Sequence, residues 1–163
     1  MNDAYRLRTD GGARGNPGPA GIGIVLEAPG GEVVAEVAKG IGHATNNVAE
    51  YQALLEGLSL AAQHGARRLD VFSDSLLMVE QMKGRYKVRN PGLRPLFERA
   101  RQLVRDFDKV TFTAVRRERN RAADTLANQG MDEQEAAGGG SVGAQRGRGL
   151  ASEAETGAQG NLL

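Results

Sequence analysis

The sequence predicts an α/β protein in which helices flank a mixed β-sheet. Three segments with strand-like patterning come first, and glycine- and proline-rich turns join them, which favours an antiparallel arrangement. Helical and strand-like segments then alternate, as is typical of strands added in parallel through helical crossovers. The 163 residues suffice for one domain of ordinary size.

The first three strands are expected near the amino terminus. Polarity alternates over Tyr5–Thr9, Ala20–Glu27 is rich in Gly and Ile, and Glu32–Ile41 has a strand pattern with Val33, Val34 and Val37. The stretch Gly11–Pro19 is interpreted as a long connection because it is rich in Gly and Pro, whereas Pro29–Gly31 predicts a tight turn.

The remaining elements are predicted in the order helix, strand, helix, helix, strand and helix. Apolar residues at three- and four-residue spacing predict the first helix over Asn47–His64, and Gly65 ends it. A last helix is expected from an Asn120 cap to about Gln129. The elements between them are Arg68–Ser73, Ser75–Met82, Leu93–Phe107 and Lys109–Arg116.

Composition excludes several classes of site. The absence of cysteine excludes disulfides, thiolate metal ligands and a cysteine nucleophile, and two histidines are too few for a histidine-rich metal site. No apolar run reaches the roughly 20 residues of a membrane helix. The first ten residues lack the apolar core of a signal peptide, so a cytoplasmic location and no membrane association are expected.

The near-neutral total charge conceals a basic segment, which we define as residues 83–121. It carries thirteen basic and four acidic side chains, whereas the parts before and after it are net acidic. Such a segment is consistent with a surface that contacts phosphates, and equally with a solvated helix face.

Composition changes near residue 134. Residues 135–163 contain eight glycines, no aromatic residue and no hydrophobic period. Such a segment buries too little apolar surface to offset the entropy lost on ordering. We therefore expect a folded domain over residues 1–134 and a disordered, Gly/Ala-rich tail over residues 135–163.

Four acidic residues lie at the ends of predicted strands or in the first turns of predicted helices. Asp10 and Asp74 end strands, whereas Glu50 and Asp124 are placed in the first turns of helices, where the helix dipole stabilises negative charge. Sites in α/β sheets assemble at such positions. Each acid alone has an ordinary structural explanation, but together they predict a carboxylate cluster.

A carboxylate cluster requires a cation because like charges repel one another. Hard oxygen ligands suit Mg²⁺ or Mn²⁺. Two such ions held by three or four carboxylates form the usual arrangement for attack on a phosphodiester. These residues therefore predict a metal-dependent nuclease.

Four ordered motifs resemble type 1 ribonuclease H, in the short prokaryotic form without a basic handle. They are TDGGARGNPGPAG (9–21), TNNVAEYQALLEGL (45–58), FSDS (72–75) and RERNRAADTLAN (117–128), and the resemblance covers roughly residues 3–130. It implies a five-stranded sheet of order 3-2-1-4-5 and hydrolysis of the RNA strand of RNA/DNA hybrids to 5′-phosphate and 3′-hydroxyl ends.

The resemblance also implies roles for individual residues. The catalytic and metal-binding acids are Asp10, Glu50, Asp74 and Asp124. The implied substrate-binding residues are Gly11, Gly12, Arg14, Asn16, Thr45, Asn46, Asn47 and Ser75. The asparagines could pair with the 2′-hydroxyl groups that distinguish RNA from DNA. A monomer is expected, and double-stranded RNA stays open as a second substrate.

Two positions depart from the family pattern. Many members carry a histidine in the loop before the last acid, where this chain has Ala114, and its absence is expected to slow turnover rather than abolish it. Leu76 stands where a polar residue is frequent.

Three alternatives were weighed. A non-catalytic hybrid-binding module is the principal one, although all four acids are present. A proofreading exonuclease would place Asp-x-Glu on the first strand, where this chain has Asp10-Gly11-Gly12, and a transposase would place Glu at Asp124.

Overall fold

The sheet has five strands in the order β3-β2-β1-β4-β5. A computed structural model describes residues 3–143. Both neighbouring pairs among β1, β2 and β3 are antiparallel, whereas β4 lies parallel to β1 and β5 parallel to β4, as the sequence predicted. The strands are β1 (Tyr5–Ala13), β2 (Gly18–Glu27), β3 (Val33–Ala44), β4 (Arg68–Ser73) and β5 (Lys109–Ala114).

Helices cover both faces of the sheet. The helices are α1 (Asn46–Gln63), α2 (Leu76–Met82), α3 (Arg94–Val104) and α4 (Arg121–Gly143), and a short 3-10 helix over Arg117–Arg119 precedes α4. Helix α1 packs on β1 and β2 and against α3, whereas α4 packs on the opposite face, across β2 and β3. No helix among residues 3–143 is long and apolar enough to cross a membrane.

The hydrophobic core lies between the sheet and α1. Its largest fully buried side chains come from β1, β2, β4, α1 and α2, and burial of each contributes about 1.5–3 kcal/mol. They are Leu7, Ile22, Ile24, Leu26, Tyr51, Leu54, Leu58, Leu69, Met78, Val25, Val71 and Val79. This core fixes β1 and β4, which place two of the acids. Asp74 directly follows β4 as predicted, but the prediction that Asp10 ends the first strand is wrong, because β1 continues past it to Ala13.

The predicted long connection over Gly11–Pro19 is wrong. Strand β1 continues to Ala13 and β2 starts at Gly18, so the turn spans only residues 14–17. The glycines instead allow close packing, because a Cβ at Gly11 would overlap the backbone carbonyl of Ala49 in α1. Glycine-rich sequence marks both turns and close approaches, and local pattern does not separate the two.

The last helix is longer than predicted. It extends through Gly143 instead of ending near Gln129, so residues 135–143 are helical and the expected tail does not begin at 135. Tertiary contacts hold this extension: Met131 is buried, and Glu133 and Gln134 accept hydrogen bonds from backbone N–H groups of β3 at 3.1 and 2.9 Å. The disorder predicted for residues 144–163 lies outside the described residues and stays a prediction.

Candidate metal centre and nucleic-acid interface

Three of the four predicted acids converge at one edge of the sheet. Asp10, Glu50 and Asp74 each offer a carboxylate oxygen, and these oxygens all lie within 4.8 Å of one another. The register explains the meeting of two of them, since Asp10 and Asp74 each lie two residues beyond Arg8–Phe72, the last paired position of β1 and β4. Glu50 reaches the same place from α1. We call these three residues the acidic centre.

Two members of the acidic centre, Asp10 and Glu50, are buried, whereas Asp74 is half-buried. Asp10 is 7% exposed and Glu50 is 9% exposed. Burial, and then the neighbouring Asp74 and Asp124, raise the pKa of Asp10 to about 8. The pKa of Glu50 is raised well above its usual range by burial, Asp10 and Asp74, while a hydrogen bond from the Gly11 N–H opposes the shift.

This electrostatic environment fits a divalent cation. The Oε1 atom of Glu50 is buried and has no hydrogen-bond partner among the described residues. An unpaired buried carboxylate is costly, and ions such as Mg²⁺ and Mn²⁺ take carboxylate oxygens as ligands. Asp10, Glu50 and Asp74 could therefore hold a metal ion.

Asp124 lies beside the acidic centre in the first turn of α4. It is a hydrogen-bonding neighbour of Asp10, and its own Oδ1 lies 3.5 Å from Arg117 Nη2. Helix α4 can come this close because Gly23, paired with Asp10 across β1 and β2, has no side chain; a Cβ there would overlap the carbonyl oxygen of Ala123. The fourth acid thus adjoins the other three but pairs with an arginine.

The dipole argument made for Glu50 is wrong. Helix α1 begins at Asn46, so Glu50 is its fifth residue and no acidic residue occupies its first turn. Its environment is set by burial against Asp10 and Asp74 instead.

Asn120 has a role that the sequence did not reveal. The Asn120 side chain is fully buried, and its Nδ2 donates to the backbone carbonyl oxygen of Thr9 at 2.9 Å. The backbone carbonyl oxygen of Asn120 accepts from the Asp124 N–H at 3.0 Å. Asn120 precedes α4 as predicted, but its side chain binds β1 rather than capping the helix. It therefore joins the residue before Asp10 to the turn that carries Asp124.

The predicted substrate-contact asparagines gather near the acidic centre. Asn16 Oδ1 accepts from the Asn46 N–H at 2.9 Å, and Asn46 Oδ1 accepts from the Ala13 N–H at 2.7 Å. Thr45 caps α1 by accepting from the Val48 N–H at 3.2 Å. Asn16, Thr45, Asn46 and Asn47 are all exposed, and within residues 3–143 the side-chain N–H groups of the three asparagines donate no hydrogen bond.

The other predicted contact residues are engaged within the chain. Ser75 Oγ caps α2 by accepting from the Met78 N–H at 3.2 Å. Gly11 is buried against α1, and Gly12 faces Met131 and Asn46. The Arg14 guanidinium forms salt bridges with α4.

The basic segment surrounds a groove between the α2–α3 connection and α3. The groove has a volume of about 560 Å³, and its lining includes Tyr86, Lys87, Arg89, Arg94 and Arg101. Tyr86 is 49% exposed. Among residues 3–143, no ion pair neutralises Lys83, Lys87 or Arg89. This surface combines uncompensated positive charge with an exposed aromatic ring.

Ala114 is the last residue of β5, not part of a loop, and it pairs with Ser73 next to Asp74. Near the end of β5, Arg117 contacts one of the four predicted metal-binding acids, Asp124, at 3.5 Å.

Comparison with known proteins gives consistent similarities. A protein-family model described as reverse transcriptase-like matches residues 8–130. A bifunctional protein of Mycobacterium tuberculosis is 49% identical over 127 residues, which cover 77% of this chain and 35% of that protein. The chain thus spans about a third of the length of the curated relatives of this kind.

Two solved structures are similar to this chain in both fold and sequence. RNase H1 from the archaeon Halobacterium salinarum superposes with a TM-score of 0.77 at 42% identity, covering 80% of this chain and 98% of that one. LC11-RNase H1, solved in complex with an RNA/DNA hybrid, superposes with a TM-score of 0.75 at 40% identity, covering 79% and 97%.

Proposed function

The chain belongs to the ribonuclease H family, and from that membership we propose that it hydrolyses the RNA strand of RNA/DNA hybrids. The observation that carries the proposal is the acidic centre, in which three carboxylate oxygens lie within 4.8 Å of one another. A relative of the same fold was solved with a hybrid bound. The expected products carry 5′-phosphate and 3′-hydroxyl ends.

In the proposed mechanism, Asp10, Glu50, Asp74 and Asp124 hold two divalent ions, Mg²⁺ or Mn²⁺. When bound, these ions supply the positive charge that activates water and stabilises the leaving oxygen. The chain's own contribution is to bring the carboxylates together on β1, α1, β4 and α4 before substrate arrives. Asn120 supports this geometry because it bonds both to Thr9 and to the first turn of α4.

We infer that the RNA strand lies along the exposed asparagines. Their side-chain N–H groups are free to donate, and a 2′-hydroxyl group accepts as well as donates hydrogen bonds. Asn16 Oδ1 accepts from the Asn46 backbone N–H and Asn46 Oδ1 accepts from the Ala13 backbone N–H, so their amides are positioned in advance. This arrangement supports discrimination of RNA from DNA at the cleaved strand.

We infer that the basic segment binds phosphates outside the acidic centre. Lys83, Lys87 and Arg89 are exposed and unpaired among the described residues, and a nucleic-acid duplex presents a regular row of negative charges. The groove beside Tyr86 would extend this contact. The segment thereby takes the place of the basic handle that the sequence lacks.

Cleavage of a labelled RNA/DNA hybrid tests the proposal. With Mg²⁺ or Mn²⁺ the full chain should cut the RNA strand, and Asp10→Asn should lose this activity because it removes a central ligand. Glu32→Gln, which changes an exposed acid outside the acidic centre and the basic segment, is the control. Parallel reactions with single-stranded RNA, double-stranded RNA and duplex DNA define the substrate.

The principal alternative makes a different prediction. A non-catalytic module would bind the hybrid and leave it intact with either metal. That result would overturn hydrolysis while retaining the interface.

A further inference from the structure

Arg14, in the turn between β1 and β2 (residues 14–17), forms hydrogen bonds with the middle of α4. Arg14 Nη1 donates to Asp132 Oδ1 and to Glu135 Oε1 at 2.6 Å each, and Arg14 Nη2 donates to Asn128 Oδ1 at 3.2 Å. The three acceptors follow one another four and three residues apart, so they form one stripe along the helix. A single guanidinium thus bridges two turns of α4.

The first residue of this stripe, Asn128, also contacts Asp124, the acid that lies beside the acidic centre. Asn128 Nδ2 donates to the Asp124 carbonyl oxygen at 2.9 Å and lies 3.5 Å from Asp124 Oδ1. Only the Asn128 side chain therefore separates the Arg14 guanidinium from the acid of α4. A chain of side-chain contacts therefore runs from Arg14 in the turn, through Asn128, to Asp124 beside the acidic centre.

The other side of the turn carries the candidate substrate groups. Asn16 of the turn accepts from the Asn46 N–H at the start of α1 at 2.9 Å, and Asn46 Oδ1 accepts from the N–H of Ala13, the residue before the turn, at 2.7 Å. The turn is thus held from two sides, by asparagines toward α1 and by Arg14 toward α4. Loss of either attachment would free the residues that face the hybrid.

We propose that Arg14 is a positioning residue for hybrid binding, which holds the β1–β2 turn on α4 so that Asn16 and Asn46 meet the RNA strand. This inference rests on the proposed function. Charge disfavours direct phosphate contact by Arg14, because two carboxylates surround its single positive charge and the local balance is negative. Arg14 thereby differs from the substrate-binding role that family resemblance implied for it.

Two variants of the full chain separate positioning from direct contact. Arg14→Gln removes the guanidinium, whereas Asp132→Asn/Glu135→Gln keeps it and removes its anionic acceptors. Positioning requires both to raise KM for an RNA/DNA hybrid by about three- to tenfold, with kcat changed less than about twofold, since charge-assisted hydrogen bonds hold the turn. Arg14→Lys keeps the positive charge, so its KM should rise less than that of Arg14→Gln.

The control is Glu32→Gln/Glu36→Gln, which removes two exposed negative charges outside the acidic centre, the basic segment and α4, and should leave KM unchanged. A lower KM for Asp132→Asn/Glu135→Gln would overturn the inference, because a freed guanidinium would then be contacting phosphate. An unchanged KM in either variant, or a loss confined to kcat, would overturn it too. If wild type fails to cleave the hybrid, the proposed function falls and takes the inference with it; if wild type cleaves and only these variants disagree, the inference alone falls.

Discussion

The acidic centre and the basic segment carry opposite charges in opposite environments. Asp10 and Glu50 are less than a tenth exposed, and burial together with neighbouring carboxylates raises the pKa of each, whereas Lys83, Lys87 and Arg89 are exposed to solvent. Buried like charges interact strongly because little water screens them. Exposed charges are screened by salt and act nearly independently.

This difference in burial predicts that the acidic centre and the basic segment respond differently to substitution. A change in the acidic centre alters every other group there, so its effects are large and not additive. A change in the basic segment removes one phosphate contact at a time, so its effects are moderate, additive and dependent on salt. The following predictions test that division, beginning with the largest effect.

Glu50→Gln is expected to reduce hybrid cleavage by about a thousandfold or more, since it removes a ligand from the centre on which charge stabilisation depends. Stability without metal should not fall, because the substitution puts a neutral group in place of a buried carboxylate whose Oε1 has no hydrogen-bond partner among the described residues. Initial rates and urea unfolding in EDTA measure the two. Glu36→Gln is the exposed control, and comparable activity in both variants would contradict the assignment.

The raised pKa of Asp10 predicts a defined pH dependence of stability. Between its ordinary pKa of 3.8 and about 8, the folded state binds the proton more tightly than the unfolded state. Stability without divalent ions should therefore fall as pH rises through this window, and the fall should be smaller in Asp10→Asn. Added Mg²⁺ should stabilise most at the high end, where the carboxylates ionise. Melting temperatures in EDTA and in Mg²⁺ test this, and a pH-independent difference between wild type and variant would contradict it.

Neutralising Lys83, Lys87 and Arg89 to glutamine should weaken hybrid binding and leave kcat nearly unchanged. Each lost phosphate contact should reduce the slope of log K against log salt by about 0.7–0.9. Binding titrations at several salt concentrations measure it. The matched control neutralises Arg6, Arg67 and Arg68, three exposed arginines outside the basic segment that lie near the starts of β1 and β4, at the end of the sheet away from Asp74. An unchanged slope in the first variant would remove the segment from the interface.

Asp108→Asn should have the smallest effect. Asp108 and Arg67 form an exposed ion pair at 2.9 Å, and this contact lowers the pKa of the Asp108 carboxyl. Exposed pairs of this kind contribute about 0–1 kcal/mol to stability. Urea unfolding should therefore show only a small loss of stability. A larger loss would show that surface charges also couple strongly here.

Much of the fold and of the candidate site followed from local pattern. Strand alternation and helical spacing predicted the order of the elements, because each pattern reports which face of one element is buried. Asp74 was predictable because it follows a parallel strand, at the end of the sheet where sites assemble. Asp10 meets it from inside β1, just beyond the part of that strand that pairs with β4. The boundaries failed where one residue type serves two purposes, as Gly11 does by allowing α1 to approach rather than by making a turn.

The sequence by itself determined which chemistry was possible: oxygen ligands without thiolates, a basic segment, and acids at the ends of elements. Tertiary structure alone decided that Glu50 lies beside Asp10, that Asn120 binds Thr9 and that Arg14 binds α4. The physical reason is that periodicity records short-range geometry, whereas these contacts join residues 40 to 121 positions apart. Such contacts depend on how closely helices and strands pack, and here glycines without side chains set that distance.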